Sequence, residues 1–223
     1  MSGESGSKLR GVITDWGGVM TTPIADSVNA WLAADGISRA SYTAVMRLWV
    51  KQAYGDGADR NPIHALERGE CTNDEFELAL ARELVREDGG PVAGPGLLAR
   101  MFAGQTLDDS MLALFRNLKT SGVPTGLLSN SWGGGYPREL FEDMFNAVVI
   151  SAEVGMRKPE PRIFRHVAGL LGLPPEECVF IDDIQANITA AEQVGFTGVL
   201  HTAAEDTAQQ VADLLGVPLS GCG

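Results

Sequence analysis

The sequence predicts an α/β protein with a mostly parallel sheet, and three observations carry that prediction. Short apolar runs alternate with helical patterns through the second half of the chain, as βαβ units require. A first apolar run, Gly11-Val12-Ile13-Thr14, releases Asp15 into a glycine-containing turn, so a strand already stands near the start. Between the two, from Pro23 to Gly104, helix signals dominate and β-branched runs are almost absent, which marks a helical insertion after the first strand.

Each element has its own signal. Val28, Trp31 and Leu32, then Val45, Leu48 and Trp49, recur at the spacing of two amphipathic helices whose tryptophans belong in a core. Thr72 followed by Glu75 forms a capping-box pattern, and Phe76, Leu80 and Leu84 give the next helix its apolar face. Met111, Leu114, Phe115 and Leu118 define a helix that Gly122 can end in a left-handed conformation. Strands are expected at Thr125–Ser129, Ala147–Ser151, Cys178–Ile181 and Thr197–Leu200. Between the middle two, Pro161 opens a helix with Ile163, Phe164, Val167, Leu170 and Leu171 on its apolar face, and Gly172 closes it. That unit is a right-handed crossover.

Composition narrows the classes of function. A chain of 223 residues with 44% hydrophobic content can bury a sizeable core. Its 17 basic and 29 acidic residues give a formal charge of -12, which argues against a surface for the phosphate backbone of nucleic acid. The three cysteines, Cys71, Cys178 and Cys222, have no metal-type spacing and suggest no disulfide framework, so a reducing cytoplasm fits. Residues 1–8 read as a polar, disordered leader, and no stretch is long enough to span a membrane.

The chemistry-bearing residues fall at strand ends. Asp15, Ser129 and the Asp182-Asp183 pair all lie where a parallel sheet of this kind binds its ligands, beyond the carboxyl ends of the strands. Asp15 alone is compatible with a nucleophile or a metal ligand. Converging carboxylates raise one another's pKa unless a cation joins them, and magnesium suits an all-oxygen set. Lys158 adds a charge that can hold Asp15 ionised, and Ser129 adds a hydroxyl donor. Together these groups suffice for in-line attack by Asp15 on phosphorus, giving an aspartyl-phosphate that water hydrolyses.

In order, Asp15, Ser129, Lys158 and Asp182-Asp183 resemble the four motifs of the haloacid dehalogenase-like hydrolase superfamily. The stretches Val154 to Phe164 and Phe180 to Ile188 are similar to the amino-terminal phosphatase domain of soluble epoxide hydrolases and to bacterial sugar-phosphate phosphatases. The resemblance implies a Rossmann-like core at residues 9–22 and 105–223, a helical cap at 23–104 and a magnesium-dependent phosphatase of a small phosphorylated metabolite. It implies that Asp15 is the nucleophile and that its carboxylate and the Gly17 carbonyl bind Mg2+, with Asp183 binding directly and Asp182 through water. By the same likeness Ser129 contacts the phosphoryl group and Lys158 links it to Asp15. One departure stands out: most phosphatases of the superfamily carry a second aspartate two residues after the nucleophile as general acid, and here that position is Gly17. Loss of positioned acid–base catalysis costs about 10²- to 10⁴-fold, although the similar bacterial phosphatases can also carry glycine there.

Competing readings remain at this stage. A feeble phosphate-binding or regulatory protein would keep the fold and metal site, and a metal-independent dehalogenase would lack the acid but not need the acidic pair. Gly18 and Asn130 are candidate substrate-binding residues; Gly18 can also simply make the turn, and Asn130 and Asn187 can orient the site or bond locally. His64 is a candidate substrate contact or replacement acid, Arg157 reads as a surface residue, and Trp132 before three glycines could cover an apolar surface or a partner contact. The exposed face of a helical cap could support a homodimer.

Overall fold

The structure, a computed structural model, describes residues 9–53, 61–133 and 135–216, so the expected leader lies outside the described residues. Five strands form one parallel sheet in the order β3-β2-β1-β4-β5. They are β1 (Gly11–Thr14), β2 (Thr125–Ser129), β3 (Ala147–Ile150), β4 (Cys178–Asp182) and β5 (Thr197–Leu200). The three central strands are buried along their whole length, which is why they read as continuous apolar runs.

Side chains alternate across the sheet into two cores. Val12, Leu127, Val179 and Ile181 face α6 (Asp109–Thr120) and α11 (Ala204–Leu215), whereas Ile13, Leu128, Cys178 and Phe180 face α9 (Pro161–Leu171) and α10 (Gln185–Val194). A one-residue slip in any central strand would exchange these sets.

Among the described residues five helices stand between β1 and α6: α1 (Ile24–Ala34), α2 (Arg39–Ala53), α3 (Pro62–Glu67), α4 (Asn73–Glu83) and α5 (Leu97–Phe102). They close on a third apolar cluster containing Val28, Trp31, Trp49, Phe76, Leu80 and Met101. The Thr72–Glu75 capping box starts α4, with Glu75 N 3.2 Å from Thr72 Oγ1 and Thr72 N 2.8 Å from Glu75 Oε2. The segments that leave and rejoin the sheet layer run side by side: Thr21 bridges Leu107, Thr22 N donates to Thr106 O at 2.8 Å, and Asp108 N donates to Met20 O at 2.9 Å. Short helices α7 (Phe141–Met144) and α8 (Ser151–Val154) flank β3. Among the described residues no helix is long and apolar enough to cross a membrane.

Two residues expected on apolar faces are corrected. Leu48 is 49% exposed and Leu170 is 54% exposed. At the helical step of about 100° per residue, Leu48 lies roughly 80° from the midpoint of Val45 and Trp49, and Leu170 roughly 90° from the middle of the buried arc of α9. Both are therefore at the edges of their stripes.

Burial separates the costs of truncation. Phe76→Ala, at 1% exposure, should lower stability by about 3–5 kcal/mol in urea unfolding. Leu48→Ala should stay within about 0.5 kcal/mol; equal losses would contradict the placement of these side chains.

Candidate active site

Parallel pairing brings the site together at one edge of the sheet. Thr14 lies opposite Leu127 on one side and Ile181 on the other, so Asp15 and Asp182 leave adjacent strands side by side and Ser129 ends the third. Lys158 arrives from the loop between α8 and α9. Its ammonium is 1% exposed and bridges two carboxylates, 2.8 Å from Asp15 Oδ1 and 2.6 Å from Asp182 Oδ2.

Both ends of this bridge are held by amide groups. Lys158 N donates to Asn130 Oδ1 at 2.8 Å and Asn130 Nδ2 donates to Lys158 O at 3.1 Å, fixing the lysine backbone. Asp182, fully buried, accepts from Ile184 N at 2.8 Å and from Asn187 Nδ2 at 3.0 and 3.1 Å. With both its oxygens engaged, Asp182 is suited to contact an ion through water. Asp183 is more open, and ligand atoms of Asp15, Asp182 and Asp183 lie within 4.8 Å of one another.

The charges are unbalanced, with three carboxylates against one ammonium. Burial is the largest influence on Asp15 and, with Asp182 nearby, outweighs Lys158, so its carboxyl is pushed up to about 7. Burial and then Asp182 raise Asp183 as well. Burial pulls Lys158 down, but Asp15 and Asp182 more than reverse this and keep it charged. A hard divalent cation fits this oxygen-only donor set and would favour the ionised carboxylates. Glycine makes room for the Asp183 carboxylate: Gly18 has φ 79°, and a Cβ there would come 2.4 Å from Asp183 Oδ2.

Several sequence expectations take a different form here. The Gly18 amide, expected to face a phosphoryl oxygen, donates to Thr21 Oγ1 at 3.0 Å. Asn130 clamps Lys158 instead of standing free for substrate, although it lines the neighbouring cavity. Arg157 is a correction: it is no surface charge, because its Nε donates to Glu67 Oε2 of α3 with both side chains largely buried. Trp132 Nε1 donates to the other Glu67 oxygen at 3.1 Å, and the indole packs edge-on against Phe76 and Phe102. The tryptophan thus covers an apolar surface within the chain. His64 is buried in α3 and does not line the cavity. Gly17 does line it, beside Ser129, and a Cβ at that position would meet Ile24 Cδ1 at 2.9 Å.

Tyr136 escaped the sequence reading, since it sits in no motif. Its hydroxyl lies 2.8 Å from Ser129 Oγ, and its ring packs against Trp16 and Phe141. Burial pushes the phenol up to about 12 despite the Ser129 hydrogen bond, so it stays protonated.

A parallel α/β sheet with a lysine-bridged carboxylate cluster places the candidate site at the carboxyl ends of its strands. The family model for haloacid dehalogenase-like hydrolases matches residues 8–195, and the chain belongs to that family. It is 25% identical over 221 residues to mouse (Mus musculus) acyl-CoA dehydrogenase family member 10, covering 97% of this chain and 20% of that protein. It is 33% identical over 113 residues to sesquiterpene phosphatase astK of Aspergillus oryzae, covering 49% of this chain and 58% of the relative. The chain thus spans only part of these relatives. Among solved structures, the HAD family enzyme bt-2542 of Bacteroides thetaiotaomicron, a magnesium complex, superimposes with a TM-score of 0.67 at 23% identity, covering 92% of this chain and 99% of that one.

The raised Asp15 pKa has a definite sign in stability. Between about pH 4 and pH 7 the folded chain holds the Asp15 proton that the unfolded chain has lost, so this group's contribution to stability falls as pH rises. In chelator, Asp15→Asn should gain on the parent protein as pH goes from about 5 to about 8. The check is the difference in urea midpoints; a difference independent of pH would refute the assignment.

Proposed function

We propose that the protein is a magnesium-dependent phosphatase that hydrolyses a small phosphorylated metabolite through an aspartyl-phosphate. The observation that carries this is the buried Lys158 bridge between Asp15 and Asp182, with Asp183 completing the acidic cluster. Phosphatases among its relatives, one named for a sesquiterpene and one for glyceraldehyde 3-phosphate, support the same reading.

Lys158 favours the charged form of Asp15 and aims it, and offers its positive charge to the transferring phosphoryl group. Ser129, oriented by Tyr136, donates a hydrogen bond to a phosphoryl oxygen once substrate replaces part of that contact. An Asp15 oxygen forms a bond to phosphorus as the ester P–O bond breaks. The departing oxygen takes its proton from water, because Gly17 supplies none. Water then attacks the aspartyl-phosphate, releases phosphate and restores the carboxylate. Asp15, Asp183 and the Gly17 carbonyl would hold Mg2+, with Asp182 behind water; the ion supplies charge neutralisation for the phosphoryl oxygens. A metal-independent dehalogenase would still need Asp182 to hold Lys158 but would leave the Asp183 carboxylate without a use.

Phosphate release from p-nitrophenyl phosphate should need Mg2+, stop in chelator, and fall at least about 10³-fold in Asp15→Asn. Release equal to that of Asp15→Asn would end the phosphatase reading. The missing acid predicts a second result. Gly17→Asp combined with Ile24→Ala, which clears the Cβ contact, should speed hydrolysis of alkyl phosphates by up to about 10²- to 10⁴-fold. The nitrophenyl ester, whose leaving group needs no proton, should change little; parallel gains on both would argue against it.

A further inference from the structure

A cavity of about 580 Å³ adjoins the site and reaches from Gly17, Ser129 and Asn130 to the underside of the helices. Its size is that of a small-molecule pocket. Its wall is chiefly apolar, with Trp16, Ile24, Leu98, Phe102, Leu107 and Trp132. No lysine, arginine or histidine lines it among the described residues.

Several of the polar side chains in the wall are already engaged by the protein, while the Thr106 hydroxyl and the amide oxygens of Asn73 and Gln105 face the cavity wall without a protein donor among the described residues. Thr21 Oγ1 accepts from Gly18 N at 3.0 Å and from Gln105 Nε2 at 2.9 Å. Glu77 accepts from Gly96 N at 2.7 Å and Leu98 N at 2.9 Å, one on each oxygen. Asn73 Nδ2 donates to Gly133 O at 2.6 Å. A ring of hydroxyls entering here would lose its water and find few free partners, which is costly for each buried polar group. A second anionic group would meet no cation and would face Glu77.

From this wall we infer that the substrate is the monophosphate of an apolar alcohol or phenol, whose hydrocarbon body fills the cavity while its phosphate lies against Asp15 and Ser129. The inference rests on the phosphatase reading for the reaction, but the cavity's preference stands on its own. It ranks sugar phosphates and nucleotides below such esters as substrates. Each methylene added to the leaving group displaces water from apolar wall, so affinity rises with chain length until the space is full.

The test uses n-alkyl phosphonates, which bind but are not hydrolysed, titrated by calorimetry into the protein with Mg2+. From ethyl to octyl, Kd should fall by about three- to fourfold per methylene before levelling off, with an increasingly negative heat-capacity change. Phe102→Asp should flatten this slope. Leu107→Asp, at a side chain already 39% exposed, is the second variant should Phe102→Asp fail to fold. A Kd independent of chain length, no binding of any phosphonate, or glucose 6-phosphate or AMP binding more tightly than the hexyl compound would overturn the inference. Phosphate release from p-nitrophenyl phosphate, set against Asp15→Asn, decides the reaction separately. A slope without release refutes the phosphatase and supports the cavity assignment; release without a slope does the reverse.

Discussion

The contact on which the rest of the structure depends is the Lys158 ammonium held between Asp15 and Asp182, away from water. Removing such charges from solvent costs several kcal/mol per ion, and mutual attraction offsets this only if the remaining hydrogen-bonding groups are satisfied. The surrounding residues meet that condition one by one. Asn130 fixes the lysine backbone, and Ile184 N and Asn187 saturate the far carboxylate. Among the described residues no buried side-chain nitrogen or oxygen is left without a partner. The register of β1 between β2 and β4 is therefore constrained twice, by the alternation that fills two apolar cores and by the need to deliver Asp15 and Asp182 to the same ammonium.

The same contact leaves a residue of negative charge. Once Asp182 and Lys158 are paired, Asp15 shares the ammonium and Asp183 has no comparable partner, which is why burial and repulsion raise both of their pKa values. A site in this condition stabilises an incoming cation more than a balanced one would. Gly18 is part of that arrangement: any side chain at its left-handed position would occupy the space of the Asp183 carboxylate.

Strand positions were legible because β1, β2 and β4 are buried on both faces and so appear as unbroken apolar runs ended by polar residues. For the same reason Asp15, Ser129 and Asp182 could be placed at strand ends from sequence. Local pattern carries no information about partners far away in the chain. Arg157 looked like a solvated charge because its carboxylate, Glu67, stands 90 residues earlier, on α3. Tyr136 follows a glycine run and announces nothing until the fold sets its hydroxyl against Ser129. Leu48 and Leu170 fit helical periodicity, but periodicity gives a stripe without its edges.

Arg157 and Lys158 are adjacent in sequence yet bind in different layers. Lys158 reaches into the carboxylate cluster, and Arg157 pairs with Glu67 of α3, whose second oxygen accepts from Trp132 beside Ser129 and Asn130. Glu67 is 5% exposed, so separating this pair would strand a charge in a dry setting. The helical layer is thereby tied to the sheet at the peptide that carries the site's central cation. A shift of α3 would pull on Arg157, and through one peptide bond on the lysine that pairs with Asp15 and Asp182.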